Sequence, residues 1–278
     1  MLNIVRLTLK EIMNKHILYL GLVFSIVFLA VYALGLHNIA EAQMLSGNQF
    51  WFRNQAGYQL LTLGWYVSTF LVGALAVMMG AGSISREIES GTILSLASRP
   101  FSRSDILMGK FMAYSMVTAL YSGIMAAAIT TLASHYFQLM INPRAMITGI
   151  LIFMLFPMVL LAIAHLASVI TTTLTAGIVS FMLFIIAITG GFMEQIGAVL
   201  GNRSLVNTGV VASLIMPCDA IYRMAVKKAV GMLGTGYITD FGPFGVASAP
   251  SIWMLVYALA YTFIIIFLAM HYFNKRDL

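Results

Sequence analysis

Residues 145–193 read AMITGILIFMLFPMVLLAIAHLASVITTTLTAGIVSFMLFIIAITGGFM, 49 residues without one Asp, Glu, Lys or Arg. A bilayer core is crossed by about 20 apolar helical residues, so this run is too long for one crossing and needs a turn inside it. Its most polar stretch is Ser168-Val-Ile-Thr-Thr-Thr-Leu-Thr175, which places a turn there. The run therefore predicts two spans, near 146–168 and 174–193, with Pro157 kinking the first of them.

Working outward, further uncharged runs give spans near 17–36, 58–82, 106–134 and 251–270. Leu205 to Pro217 is apolar but short and reads as a re-entrant or interfacial piece. The expected fold is an all-α integral membrane protein, one transmembrane domain over 1–278 with roughly six spans. Composition agrees. Of the 278 residues 61% are apolar, and only 9% are charged. A soluble domain carries about 25% charge. Soluble enzymes, disordered chains and disulfide-stapled secreted domains are excluded; the single Cys218 also excludes an internal disulfide. The net charge of +6 is too diffuse to suggest nucleic acid.

Nine basic residues (Arg6, Lys10, Lys15, Arg86, Arg99, Arg103, Lys110, Lys275 and Arg276) fall on the side of the two termini, against six on the other. The positive-inside rule then puts both termini in the cytoplasm of a cell-membrane protein. The apolar start is too long for a cleaved signal and reads as a signal-anchor. Residues 1–16 form an amphipathic interfacial helix, with Leu2, Val5, Leu9, Ile12 and Met13 on one face. Such a helix anchors to lipid and can also touch a cytoplasmic partner.

The inner region 83–105 carries the most information. Ser90 or Thr92 can cap a short helix whose apolar face holds Ile93, Leu94 and Leu96, and Pro100 stops it. Ser102-Arg-Ser-Asp105 is a capping-box pattern opening the third span. A short inner helix between two long ones suits docking on a soluble partner. The pattern Glu87-x-Glu89-x-Gly91-Thr92-Ile-Leu-x-Leu96, then Arg99-Pro100-x-Ser102-Arg103, then Ile106-Leu-x-Gly109-Lys110, resembles the inner loop of permeases of the second ABC exporter class. The resemblance implies a coupling helix seated on an ATPase subunit, with Glu87, Glu89, Gly91, Thr92, Leu96, Pro100, Ser102 and Arg103 as its contact residues. It implies two ATPase copies, which would hold ATP and Mg, and a second copy of this chain or a similar permease. It also implies no cofactor in this chain.

In the outer segment 194–250, Met216-Pro217-Cys218-Asp219-Ala220-Ile221-Tyr222-Arg223 is similar to an Asn-Pro-x-Asp-x-Tyr-Arg stretch of NosY-like permeases, which serve nitrous oxide reductase maturation. Met216 replaces the Asn, and one residue is added before Ile-Tyr-Arg. Residues 217–234 read as a basic outer helix. It either lies on headgroups through Arg223, Lys227 and Lys228, or forms a lid or docks an outer accessory protein, with Asp219, Tyr222 and Arg223 as its site residues.

Other chemistry is sparse. No nucleotide-binding glycine loop, zinc-protease motif or paired intramembrane carboxylate occurs. The 20 Met are scattered and read as adaptable packers rather than copper ligands. His165 is an ionisable residue inside a span, a functional candidate that could equally hydrogen-bond to a Ser or Thr. Glu194 reads as solvated. The expected activity is that of the membrane subunit of an ATP-driven exporter. A membrane-embedded enzyme would need clustered acid–base residues, and a channel or secondary transporter an ion site or inverted repeats; neither pattern is visible.

Overall fold

The computed structural model describes residues 2–14, 16–45, 50–91, 103–230, 248 and 250–276, with backbone alone at Leu2, 43–45 and 50–52. Among these residues the chain is helical and has no strand. The helices are α1 (Leu2–Met13), α2 (His16–Leu45), α3 (Phe50–Ala81), α4 (Ser85–Glu89), α5 (Arg103–Phe137), α6 (Pro143–Phe153), α7 (Phe156–Ile170), α8 (Thr173–Leu200), α9 (Arg203–Ile215), α10 (Cys218–Val230) and α11 (Trp253–Lys275).

Among the described residues six helical segments are long and apolar enough to cross a membrane: α2, α3 continued through α4, α5, α6 with α7, α8 and α11. Five of them extend beyond the expected spans at both ends, while the last, Trp253–Lys275, begins two residues later than expected and runs five further. α3, α5 and α7 form the packed centre, while α2 and α11 are peripheral and expose most of their apolar side chains. Phe24, Val31, Leu34, Phe263 and Phe267 face outward, as expected of helices whose solvent is lipid. The end at which α2 begins and α11 finishes is called the terminal end here.

The fourth span is broken where Pro157 demands it. A proline has no N–H to donate, and its ring excludes the carbonyl four residues back. α6 accordingly stops at Phe153, and α7 begins at Phe156 with the proline in its first turn. α6 itself starts on Asn142, whose side chain accepts from the Arg144 N–H at 3.0 Å, with Pro143 next. The turn between the fourth and fifth spans falls at Thr171 and Thr172, inside the stretch 168–175.

α8 ends in a left-handed Gly201 (φ +67°), and the Asn202 N–H reaches back to the Gly197 carbonyl at 2.8 Å. Asn202 then caps α9 by accepting from the Ser204 N–H at 3.0 Å. The reversal lays α9 against α8 through small residues. A Cβ on Gly190 would strike Ala212, and one on Gly209 would strike Glu194. α9 and α10 are bent by 105° at Met216-Pro217, so together they form a broken span or a re-entrant pair. The short apolar piece expected at 205–217 is the first arm of that pair.

α1 does more than lie on lipid. Ile4, Thr8 and Ile12 are buried, and α1 packs on α5. Met13, expected on the apolar face, is exposed, while Val5 and Leu9 pack on the core. Gly80 allows a close helix contact. A Cβ there would sit 2.6 Å from that of Ala164 in α7.

Candidate coupling site and the opposite polar cluster

α4 continues α3 at the terminal end and stops at Ser90, followed by Gly91 in the left-handed region at φ +69°. Thr92, Leu96, Pro100 and Ser102 lie outside the described residues, as does the short helix expected there. Glu87, Glu89, Gly91 and Arg103 flank that segment, and three of the four are tied to span ends. Glu89 accepts from the Thr173 N–H at 2.8 Å and from its hydroxyl at 3.1 Å. Thr172, the N-cap of α8, makes no side-chain cap of its own, so Glu89 supplies it from another helix. The Arg103 guanidinium donates to the Arg276 carbonyl at 2.7 Å, and Arg276 in turn donates to the Val169 carbonyl. Glu87 forms an ion pair with Lys110 of α5, whose side chain is almost wholly buried.

Lys110 connects this pair to a second network. Its ammonium donates to the Ser83 carbonyl at 3.0 Å. The Ser83 hydroxyl lies 2.6 Å from His165 Nδ1 and 3.0 Å from the Ser168 hydroxyl. His165 Nε2 lies 3.3 Å from the Leu107 carbonyl, which can only accept. Nε2 is therefore the donor to Leu107, while the Ser83 hydroxyl, also 2.6 Å from the Gly80 carbonyl, shares its one proton between that carbonyl and Nδ1. His165 is thus a fully buried, hydrogen-bonded tie between α3, α5 and α7, the second of the two readings offered by the sequence. Taken together, the ends of α3, α5, α7, α8 and α11 are fastened to the two flanks of segment 92–102.

At the opposite end the charged residues behave differently from the expectation. Glu194, read as solvated, is buried. Tyr222 and Arg223, read as outward-facing anchors on α10, are buried too, at 2% and 1% exposure. The Arg223 Nε donates to Asp219 Oδ2 at 2.8 Å, one Nη to Glu194 Oε2 at 2.7 Å, and the other to the Ser248 carbonyl at 2.8 Å. The Ser248 hydroxyl donates to Glu194 Oε1 at 2.6 Å. The Tyr222 hydroxyl donates to the Thr62 carbonyl at 2.9 Å, and its ring meets Tyr66 edge-on at 5.2 Å. These side chains hold α10 to α3 and α8. The outward face of α10 carries Lys227 and Lys228 instead. The physical reason for the correction is partner availability: a guanidinium with two carboxylates and a carbonyl in reach is stable out of water.

Gly191 makes room for this cluster, because a Cβ there would overlap the Asp219 carboxylate. Gly191→Ala is expected to force the carboxylate off Arg223 and to destabilise the folded protein by about 1–3 kcal/mol. Thermal unfolding in detergent measures this, and an unchanged midpoint would show that the α8–α10 contact is looser than described.

Among the described residues no group of three or more His, Cys, Asp or Glu is placed to hold a metal ion. Cys218 is buried.

A family profile described as "ABC-2 family transporter protein" matches residues 2–278. The chain belongs to the ABC-2 transporter family. It is a multi-pass membrane protein of the permease type, in line with six membrane-length helices. It is also similar to a "Probable ABC transporter permease protein NosY" of Pseudomonas aeruginosa, at 35% identity over 69 residues. That match covers 24% of this chain and 25% of the relative. The resemblance expected from the inner-loop motif is therefore supported at the level of the family, and the NosY likeness extends over about a quarter of each chain.

Proposed function

We propose that this chain is the membrane subunit of an ATP-driven exporter, paired with a second copy or a similar permease and coupled to two copies of a separate ATPase. The observation that carries this reading is the fastening of residues 87–91 and 103 to the ends of five helices. A push delivered to segment 92–102 would reach α8 through Glu89–Thr173, and α11 and α7 through Arg103–Arg276–Val169. It would reach α5 and the His165 tie through Glu87–Lys110. A loop free of such ties would absorb a push rather than transmit it. In this reading the terminal end is cytoplasmic, where soluble ATPase subunits and their ATP and Mg reside. Few charged groups lie within the spans, which favours a lipidic, apolar or flexible substrate over a bare ion.

A second reading has the motion passed to an outer accessory protein, as a NosY-like permease in metalloenzyme maturation would do. The partial NosY likeness favours it. Since Tyr222 and Arg223 face inward, Lys227 and Lys228 would present the contact, and they could equally hold α10 to anionic headgroups.

Co-purification with an ATPase encoded nearby tests the assembly, and single-Cys labelling of a Cys218-free chain tests the orientation. Gly47→Cys and Tyr237→Cys are expected to react with an impermeant reagent from outside, and Ser98→Cys from inside. External labelling at position 98 would overturn the orientation and, with it, the docking reading.

A further inference from the structure

Between α2, α3 and α8 a groove of about 620 Å³ opens sideways from the bundle. Ile17, Val77, Met78, Gly177, Phe181 and Ile185 give it an apolar lining, and Arg86 stands at its terminal end. Along α8 the groove runs from Thr173 to Ile185, about 18 Å of helix. One leaflet's hydrocarbon is about 15 Å thick. The groove is therefore as long as a leaflet is deep, with a cation at the level where headgroups begin.

Arg86 is the exposed cation of α4, and among the described residues its guanidinium has no carboxylate partner. The neighbouring acids are engaged elsewhere, Glu87 with Lys110 and Glu89 with Thr173. The guanidinium folds back over Gly82, where even a Cβ would come within 3.3 Å of its Nη. α1, which leads directly into the groove residue Ile17, exposes Arg6 and Lys10 at the same end.

We propose that this groove holds an acyl chain of an anionic phospholipid from the surrounding leaflet, with Arg86 pairing to its phosphate. Length, apolar lining and charge are all matched: a chain of leaflet depth lies against aliphatic and aromatic side chains, and the headgroup meets a guanidinium that has no carboxylate partner among the described residues. The inference rests on the groove itself and holds whether or not the protein is an exporter.

The full-length chain in nanodiscs of equimolar phosphatidylglycerol and phosphatidylcholine, analysed by native mass spectrometry, tests it. The wild type is expected to retain phosphatidylglycerol preferentially. Arg86→Gln should lower that preference about five-fold, the effect of one basic residue near an anionic surface, and Arg86→Lys should keep most of it. Arg6→Gln, outside the groove, should lower the preference less than Arg86→Gln does. At Gly177 a Cβ would have the Ala81 Cβ as its nearest neighbour, at 3.8 Å, so Gly177→Leu is expected to direct its side chain into the groove without displacing the helices. By filling the groove it should reduce retention of both lipids. An unchanged preference in Arg86→Gln would overturn the proposal. So would displacement of the lipid by glycerol phosphate, which would mark a site for free anions. A lipid-free dimer cross-linked through Ile178→Cys would overturn it as well, because a second copy would then fill the groove.

Discussion

Leu96→Asp is expected to abolish ATP-driven function while leaving membrane insertion intact. In the docking reading the apolar side chain at position 96 sits in a groove of the ATPase. A carboxylate there must be desolvated without a partner, at a cost of several kcal/mol, and each 1.4 kcal/mol is a tenfold loss of association. The complex should dissociate on purification, or ATP hydrolysis should continue without being coupled to movement. The fastenings made by Glu87, Glu89 and Arg103 among the described residues are left in place by this variant. Pull-down of the ATPase with Leu96→Asp, beside a thermal unfolding curve of the variant, separates the two effects. Wild-type coupling in this variant would remove position 96 from the docking surface.

Arg223→Met is expected to have the second large effect, on stability rather than on docking. It would leave Asp219 and Glu194, with side chains 6% and 7% exposed, facing one another without a counter-charge. Removing one partner of a buried ion pair costs about 3–5 kcal/mol, because the remaining charge is left uncompensated. Little folded protein should be recovered, or the unfolding midpoint in detergent should fall steeply. The triple replacement Arg223→Met, Asp219→Asn, Glu194→Gln removes the stranded charges and should recover much of the loss. If α10 were an outer docking element, Arg223→Met would spare stability and impair function alone. A variant as stable as wild type would contradict the buried cluster. Lys227→Gln with Lys228→Gln, on the outward face, should leave stability unchanged.

What the residues disclosed and what they concealed follow a physical line. Uncharged runs are local, so the six spans could be read directly, and so could the break at Pro157, whose missing N–H acts on its own helix. The amphipathic character of α1 was local as well. Its docking on α5, which buries Ile4 and Thr8, was not. Glu194 was misplaced because a carboxylate at the end of an apolar run looks the same whether water or a guanidinium receives it. Its partners, Arg223 and Ser248, lie 29 and 54 residues away. One signal was available: Asp219 and Arg223 stand four apart, the spacing of an ion pair along one helical face. The ties of Glu89 to Thr173 and of Arg103 to the Arg276 carbonyl, 84 and 173 residues apart, carried no such mark. The motif around Glu87 to Lys110 marked the residues proposed to couple to an ATPase. It did not indicate that several of them face the permease's own helices.

The central claim is that segment 92–102 is where an ATPase meets this membrane subunit. A photo-reactive amino acid placed at position 96, activated in intact membranes that also contain the ATPase, tests this most directly. The account predicts an adduct joining this chain to the ATPase subunit, stronger at position 96 than at the outward positions 227 and 228. Adducts formed only with lipid or with this chain, while the ATPase is present and active, would contradict it.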